Sequence, residues 1–224
     1  MIRKDDRGLY SADSLNSLAW VYHGFGTRTR VRVEPPWGLT TLRQVHSNVA
    51  VIAAAPENRV RQGDALITAT PYLLVGVRTA DCVPILLVEE KRRVVAAVHA
   101  GWRGTADNVV GQTVARMTEA FGAEPALVRA AIGPAIGGCC YEVGPEVADR
   151  LRDLFPERDD LDRRTKLDLP EANRRLLCRA GVPDDRIETG APCCFCTPGE
   201  FHSFRRDPRD PGRMLSFVGI TAGD

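Results

Sequence analysis

The chain has 224 residues, of which 44% are hydrophobic and 26% are charged. This composition excludes a disordered chain, and the length favours one domain over residues 1–224 with a core that needs no disulfide bonds. The 30 Lys and Arg residues nearly balance the 29 Asp and Glu residues, so the formal net charge is +1. A general nucleic-acid-binding protein is therefore disfavoured, because such proteins usually carry a clear basic excess.

The sequence contains no segment that approaches the roughly 20 apolar residues of a membrane span. Residues 1–10 are polar and charged, unlike a signal peptide. We therefore expect a cytoplasmic protein with no membrane partner. In that compartment the seven cysteines should be thiols, metal ligands or catalytic groups rather than structural disulfides.

Short apolar segments predict β-strands through the first half of the chain. They cover residues 49–54, 65–69, 73–77, 83–89 and 94–98. Most are nearly continuous runs of Val, Ile, Leu and Ala, the pattern of strands buried on both faces. Gly63 and Asp64 predict a turn before one strand, and the charged residues 90–93 predict a hairpin between two others.

Helices alternate with strands in the second half. The predicted helices cover residues 105–122, 145–155 and 170–181, and the predicted strands cover residues 127–132, 186–189 and 214–220. Thr105 is a suitable N-cap for the first helix, and Gly122 suits its C-terminal end. The sequence predicts an α/β protein with a mixed β-sheet core flanked by helices. Hairpins combined with crossovers argue against a simple doubly wound sheet.

Three residues of metal-binding types lie at predicted strand edges or in the adjoining loops. They are His46, Cys82 and His99. A thiolate and two neutral imidazoles suit zinc, and three protein ligands leave the fourth position open for water, as in catalytic sites. Their spacing is too wide for a zinc finger, so only folding can bring them together.

The remaining cysteines include two groups that could bind metal or take part in redox chemistry. One group is the pair Cys139 and Cys140, and the other comprises Cys193, Cys194 and Cys196. No second cluster of histidines accompanies them, so roles in packing or loop structure are favoured. For His23, contact with a substrate and packing in the core are equally compatible with the sequence.

Several strings around the candidate ligands resemble signatures of one family. They are Gln44-Val45-His46, Thr79-Ala80-Asp81-Cys82-Val83-Pro84 and His99-Ala100-Gly101-Trp102-Arg103-Gly104, with further matches from about residue 22 onward. On these strings the chain is similar to the YfiH/laccase-domain family. Its members were first labelled polyphenol oxidases and later described as zinc-dependent purine nucleoside phosphorylases with adenosine deaminase activity.

The resemblance implies a YfiH-like fold, an architecture shared with cytotoxic necrotizing factor-type cysteine hydrolases. It implies that His46, Cys82 and His99 hold zinc, with copper as an alternative. The implied substrates are phosphate and a purine nucleoside: adenosine, inosine, guanosine or methylthioadenosine. One departure is the connection formed by residues 29–42, which is shorter than the segment that normally contributes to the family's substrate mouth.

Either proposed reaction needs further groups beside the metal. Deamination needs an acid/base, for which Asp81 is the first candidate and Glu142 the second. Asp81 is equally well explained as a hydrogen-bonding partner that orients a ligand. Phosphorolysis needs an anion site, and the candidates, Arg28, Arg43, Arg103 and Gln44, lie in or near the family strings.

Other activities remain open at this stage. Cys82 and His99 also suit a cysteine hydrolase that edits peptidoglycan precursors, with the thiol as nucleophile and the imidazole as base. Copper-dependent phenol oxidation is a further alternative, although three donors are too few for a multicopper oxidase. The last alternative is a non-catalytic binding module that a metal ion stabilises. The sequence leaves the oligomeric state open.

Overall fold

The computed structural model describes residues 1–29, 36–209 and 212–221, without the side chains of residues 58–60. Residues 30–35 of the short connection at residues 29–42 thus lie outside the described residues. The strands are β1 (Ile2–Lys4), β2 (Tyr10–Ala12), β3 (Val21–Phe25), β4 (Gly38–Arg43), β5 (Ala50–Ile52), β6 (Asn58–Gln62), β7 (Ala65–Thr68), β8 (Leu73–Thr79), β9 (Val83–Glu89), β10 (Val94–Ala100), β11 (Val128–Ile132), β12 (Glu142–Val143), β13 (Thr165–Lys166), β14 (Ile187–Glu188) and β15 (Met214–Ile220). The helices are α1 (Asp13–Asn16), α2 (Trp102–Ala106), α3 (Val109–Phe121), α4 (Pro145–Arg150) and α5 (Leu169–Arg179).

The longer strands form two mixed sheets. A seven-stranded sheet has the order β1-β2-β3-β15-β8-β4-β6, and a six-stranded sheet has the order β14-β11-β9-β10-β7-β5. The predicted hairpin of β9 and β10 is confirmed as an antiparallel pair, whereas β4 and β8 pair in parallel. The prediction of a mixed α/β fold is therefore confirmed.

The two sheets pack face to face, and helices cover the outer face of the smaller one. Neighbouring residues of β9 show this directly, because Leu86 packs in the core between the sheets and Leu87 in the core beneath the helices. Both side chains are fully buried. The continuous apolar runs in β9 and β10 follow from this arrangement, since both faces of these strands are covered.

The prediction of one helix capped by Thr105 is wrong. The segment forms two helices, α2 and α3, separated at Asn108, whose φ of 59° is left-handed. Asn tolerates this conformation, and its side chain caps α3 by accepting a hydrogen bond from the Gly111 amide. Thr105 lies within α2, where its hydroxyl accepts a hydrogen bond from Asn173. Gly122 ends α3 in a left-handed conformation, as expected.

Other boundaries also differ from the predictions. The helix predicted over residues 145–155 stops at Arg150 and continues as a 3₁₀ turn, Arg152–Leu154. Asp168 caps α5 by accepting from the Glu171 amide, so this helix begins one residue before Pro170. No helix in the described ranges is long and apolar enough to cross a membrane.

Candidate metal centre

The structure brings the three predicted ligands together. His46 follows β4, Cys82 lies between β8 and β9, and His99 is in β10. One ligand atom from each lies within 4.8 Å of the others, and Cys82 Sγ is 3.9 Å from His46 Nε2. The group therefore combines residues from the ends of strands in both sheets.

Asp64 holds this group together, a role that the sequence analysis missed. Its carboxylate accepts hydrogen bonds from the backbone N–H groups of His46 (3.0 Å) and Ser47 (2.6 Å). Its Oδ1 lies 2.8 Å from His99 Nδ1, and the two side chains are 0% and 4% exposed. This contact orients the His99 ring and leaves its Nε2 as the ring nitrogen for a metal. The sequence assigned Asp64 only to a turn, because its contact with His99, 35 residues away in the chain, arises only in the fold.

Charge is concentrated in this group when no metal is bound. Burial opposes ionisation of Cys82, but hydrogen bonds from His46 and His99 lower the pKa of its thiol to about 6. Burial disfavours the charged His99 ring, but Asp64 and Cys82 raise its pKa to about 9. The metal-free chain therefore carries a thiolate beside an imidazolium at neutral pH.

The residues present fit a zinc ion. One thiolate and two imidazoles are the donor types that this borderline-soft ion takes in proteins. Gly101 keeps the space between them open, because a Cβ there would lie 2.9 Å from His46 Cδ2 and 3.0 Å from Cys82 Sγ. The positive φ angles of His46 (60°) and Asp81 (81°) show that the backbone accepts strain beside the group.

The three side chains line a cavity of about 570 Å³. Its apolar and aromatic lining comprises Leu42, Trp102, Ile136, Tyr141, Leu169 and Phe204. Its cationic lining comprises Arg78, Arg103, Arg205 and Arg213. The cavity thus combines surfaces for a flat apolar ring with guanidinium groups for an anion.

Asp81 connects the cavity to the loop that precedes β15. Its Oδ2 accepts a hydrogen bond from the Arg205 amide at 2.6 Å. Its Oδ1 is buried and has no hydrogen-bond partner among the described residues. One oxygen of Asp81 therefore positions this loop, and the other is an unused acceptor on a residue of the cavity wall.

Sequence comparison identifies the family. The profile of a family described as multi-copper polyphenol oxidoreductase laccase matches residues 23–221. The chain belongs to this family. The laccase-like family is thus established over nearly the whole chain, including all three candidate ligands.

Individual relatives carry more specific names. Purine nucleoside phosphorylase of Deinococcus radiodurans is 43% identical over 181 residues, which are 80% of this chain and 69% of that protein. Adenosine deaminase RL5, from an unknown prokaryotic organism, is 39% identical over 163 residues, 70% of this chain and 61% of that protein. The crystal structure of the hypothetical protein YfiH from Bacillus licheniformis superposes with a TM-score of 0.86 at 29% identity, covering 98% of this chain and 99% of that chain.

The other predicted residues from the laccase-like strings differ in their placement. Arg103 lines the cavity with its guanidinium 4.2 Å from the centroid of the Trp102 ring. Gln44 also lines the cavity, but its amide exchanges two 2.8 Å hydrogen bonds with the backbone of Arg78. The Gln44 side chain therefore joins the end of β4 to β8.

Three further candidates lie away from the described cavity wall. Arg28 donates to the Pro198 carbonyl at 3.1 Å, and Arg43 is exposed at the end of β4. Glu142 is exposed in β12 and forms an ion pair with Arg164.

The cavity wall also contains residues that the sequence did not predict as site residues. Arg205 is one of two adjacent arginines, a pattern common at protein surfaces, yet it also lines the cavity. Arg78, Arg213, Tyr141 and Phe204 received no assigned role, and only the fold shows that they share one cavity. His23 is buried in β3, where its Nε2 accepts a hydrogen bond from the Ala12 amide, in agreement with the packing interpretation.

Proposed function

We propose that this member of the laccase-like family is a zinc-dependent purine nucleoside phosphorylase. It would convert adenosine, inosine, guanosine or methylthioadenosine and phosphate to the free base and ribose 1-phosphate, and would also deaminate adenosine. The observation that carries the proposal is the His46, Cys82 and His99 group in the wall of a cavity with aromatic and cationic lining. The names of the relatives support both activities.

The cavity offers separate surfaces for the two substrates. Guanidinium groups at Arg103 and Arg205 would bind phosphate through charge-assisted hydrogen bonds. Phe204 is 52% exposed at the cavity and presents a ring on which a purine can stack. A phosphate oxygen attacks C1′, the bond from C1′ to N9 breaks with its electron pair moving to the purine, and the purine takes up the proton that the hydrogen phosphate gives up.

Two side chains are suited to the accompanying hydrogen bonds and proton transfers. Burial raises the pKa of Tyr141 to about 12, so its hydroxyl remains a donor at neutral pH and can stabilise the departing base. In deamination, Asp81 Oδ1 can accept the proton of the attacking water and pass it to the departing ammonia. A bound zinc ion supplies Lewis acidity, which lowers the pKa of water to about 7 in such sites.

The decisive experiment uses zinc-loaded protein with inosine and phosphate. We expect hypoxanthine and ribose 1-phosphate in equal amounts, and inosine from adenosine when phosphate is omitted. Zinc-loaded, folded protein that forms no product from any of the four nucleosides contradicts the proposal.

Arg103→Gln should raise the KM for phosphate about tenfold through the loss of a charge-assisted hydrogen bond. Arg28→Gln, outside the described cavity wall, is the matched control and should leave KM unchanged.

A second candidate function rests on the contact of His99 with Asp64. The low-pKa thiol of Cys82, the imidazole of His99 and the buried carboxylate of Asp64 lie one after another in space. This is the arrangement of a cysteine hydrolase. Peptidoglycan precursors would then be the substrates, and Cys82 would form an acyl-enzyme. Trapping that intermediate in chelator-treated protein, detected as a mass increase lost in Cys82→Ser, would favour this function over phosphorolysis.

A further inference from the structure

A second group of sulfur atoms lies outside the candidate centre. Cys139, Cys140, Cys193 and Cys196 have free thiols, and their Sγ atoms all lie within 4.8 Å of one another. Cys196 Sγ is 3.2 Å from Cys140 Sγ and 3.7 Å from Cys139 Sγ. The prediction of packing or loop roles for these residues rested on the absence of accompanying histidines, but folding brings the four thiols to one place.

The spacing of the four sulfurs matches the demands of a metal. A tetrahedral zinc ion with Zn–S bonds of about 2.3 Å holds its sulfur ligands roughly 3.8 Å apart. The observed separations lie around this value. In addition, the Gly137 amide donates to Cys193 Sγ at 3.2 Å. A backbone N–H aimed at sulfur stabilises the thiolate, which is the ligand form of cysteine.

We propose that Cys139, Cys140, Cys193 and Cys196 form a structural, all-sulfur zinc site. Four protein ligands leave no open position, so this site would hold its ion without taking part in catalysis. Four thiols offer soft ligands only, whereas the first group offers one thiol and two imidazoles. Binding would release the thiol protons and is therefore favoured by rising pH.

The ion would fasten together two loops that line the candidate active-site cavity. The first, between β11 and β12, carries Tyr141, and the second, between β14 and β15, carries Arg205. Near the cysteines the loops meet at two hydrogen bonds: the Cys194 amide donates to the Ala135 carbonyl at 2.9 Å, and the Gly137 amide donates to Cys193 Sγ at 3.2 Å. A tetrathiolate site would fix their separation directly. This inference stands apart from the proposed function, because it concerns metal binding alone.

The test begins with a variant in which the other candidate metal group, His46, Cys82 and His99, has lost two of its ligands. The variant His46→Ala/Cys82→Ser is purified under reducing conditions, incubated with Zn²⁺, dialysed, and examined by metal analysis and zinc X-ray absorption. We expect one zinc ion per chain surrounded by four sulfurs at about 2.3 Å. Adding Cys139→Ser and Cys196→Ser should abolish this binding. Adding Cys178→Ser, which changes a cysteine outside both groups, should leave it intact.

A second measurement uses the wild-type chain, in case the variants fold poorly. Cys139 and Cys196 are exposed, so iodoacetamide should alkylate them rapidly in chelator-treated protein and at least tenfold more slowly after zinc loading. Cys178 should react equally under both conditions. The proposal is overturned if folded His46→Ala/Cys82→Ser protein retains no zinc, or if its zinc spectrum shows nitrogen or oxygen ligands. It is also overturned if alkylation of the wild-type chain does not depend on zinc, or if Cys140 and Cys196 form a disulfide in the reduced preparation.

Discussion

Asp64 illustrates how a single buried carboxylate can organise a candidate metal centre. It contacts the ring of one candidate ligand, His99, and the backbone of another, His46. We expect Asp64→Asn to weaken zinc binding 10- to 100-fold, because an amide cannot replace the charge that orients and polarises the imidazole. Competition with a chromophoric chelator measures the affinity.

Glu89→Gln is a matched control for this substitution. Glu89 is also fully buried, but its carboxylate accepts hydrogen bonds from the Arg92 and Glu124 amides, away from the described metal group. This change can lower the free energy of unfolding but should leave the zinc affinity as it is. Equal affinities of Asp64→Asn and the wild type would show that Asp64 has no influence on the ligands.

His23 should make stability depend on pH. Burial, together with repulsion from Arg7, lowers the pKa of its ring from 6.5 to about 4. At pH values between about 4 and 6.5, the His23 ring therefore binds a proton in the unfolded chain but not in the folded chain. The free energy of unfolding is then highest above pH 6.5 and falls by about 3 kcal/mol as the pH drops to 4.

Urea denaturation across this pH range, compared between the wild type and His23→Gln, checks the prediction. Gln retains an oxygen that can accept from the Ala12 amide but cannot take up a proton. The difference in unfolding free energy between the two proteins should shrink as the pH falls from 6.5 to 4. A constant difference would contradict the assignment.

At the residue level the sequence predicted the ligands better than their surroundings. His46, Cys82 and His99 carry recognisable chemistry within specific strings. Asp64 could not be found in this way, because its contact with His99 arises from the fold and joins residues far apart in the chain. The same holds for the cysteine cluster, since the pair Cys139 and Cys140 meets Cys193 and Cys196 only when the two loops pack together.

At the level of elements, the break between α2 and α3 depends on Asn108. Asn108→Ala removes the cap on α3 and places a Cβ-bearing residue without a compensating hydrogen bond in the left-handed region. We expect a loss of about 2 kcal/mol in the free energy of unfolding. Asn108→Gly removes the same cap but accepts the backbone conformation, so it should cost only a few tenths of a kcal/mol. Thermal denaturation of both variants separates the two effects, and equal losses would contradict this account.

The sequence predicted the long central strands and α3 well because each has a strong local pattern. It missed β1, β2, β3, β4 and β6, which are three to six residues long, and the two-residue strands β12 and β13. β1 and β2 pair with each other and β2 meets β3 at one position, while β3 pairs along its length with the distant β15. Tertiary pairing thus decides the structure of short segments whose own preferences are weak.

For the whole molecule, the layered packing predicts the response of β9 to substitution. Leu86→Ala and Leu87→Ala face opposite cores, and both side chains are fully buried. Each should lower the free energy of unfolding by about 2–5 kcal/mol. In a sheet with one face in solvent, one of two adjacent substitutions would be nearly neutral. A small effect of either one in urea denaturation would therefore contradict the layered arrangement.

The position of β15 has a consequence for how the chain matures. This strand lies in the middle of the seven-stranded sheet, between β3 and β8, although both neighbours come far earlier in the sequence. During synthesis, β3 and β8 therefore present unpaired backbone edges until residues 214–220 have left the ribosome. Such edges invite association with other chains. Folding of this sheet is thus expected to finish after translation has passed β15, and chaperones that shield open strands would be most useful just before that moment.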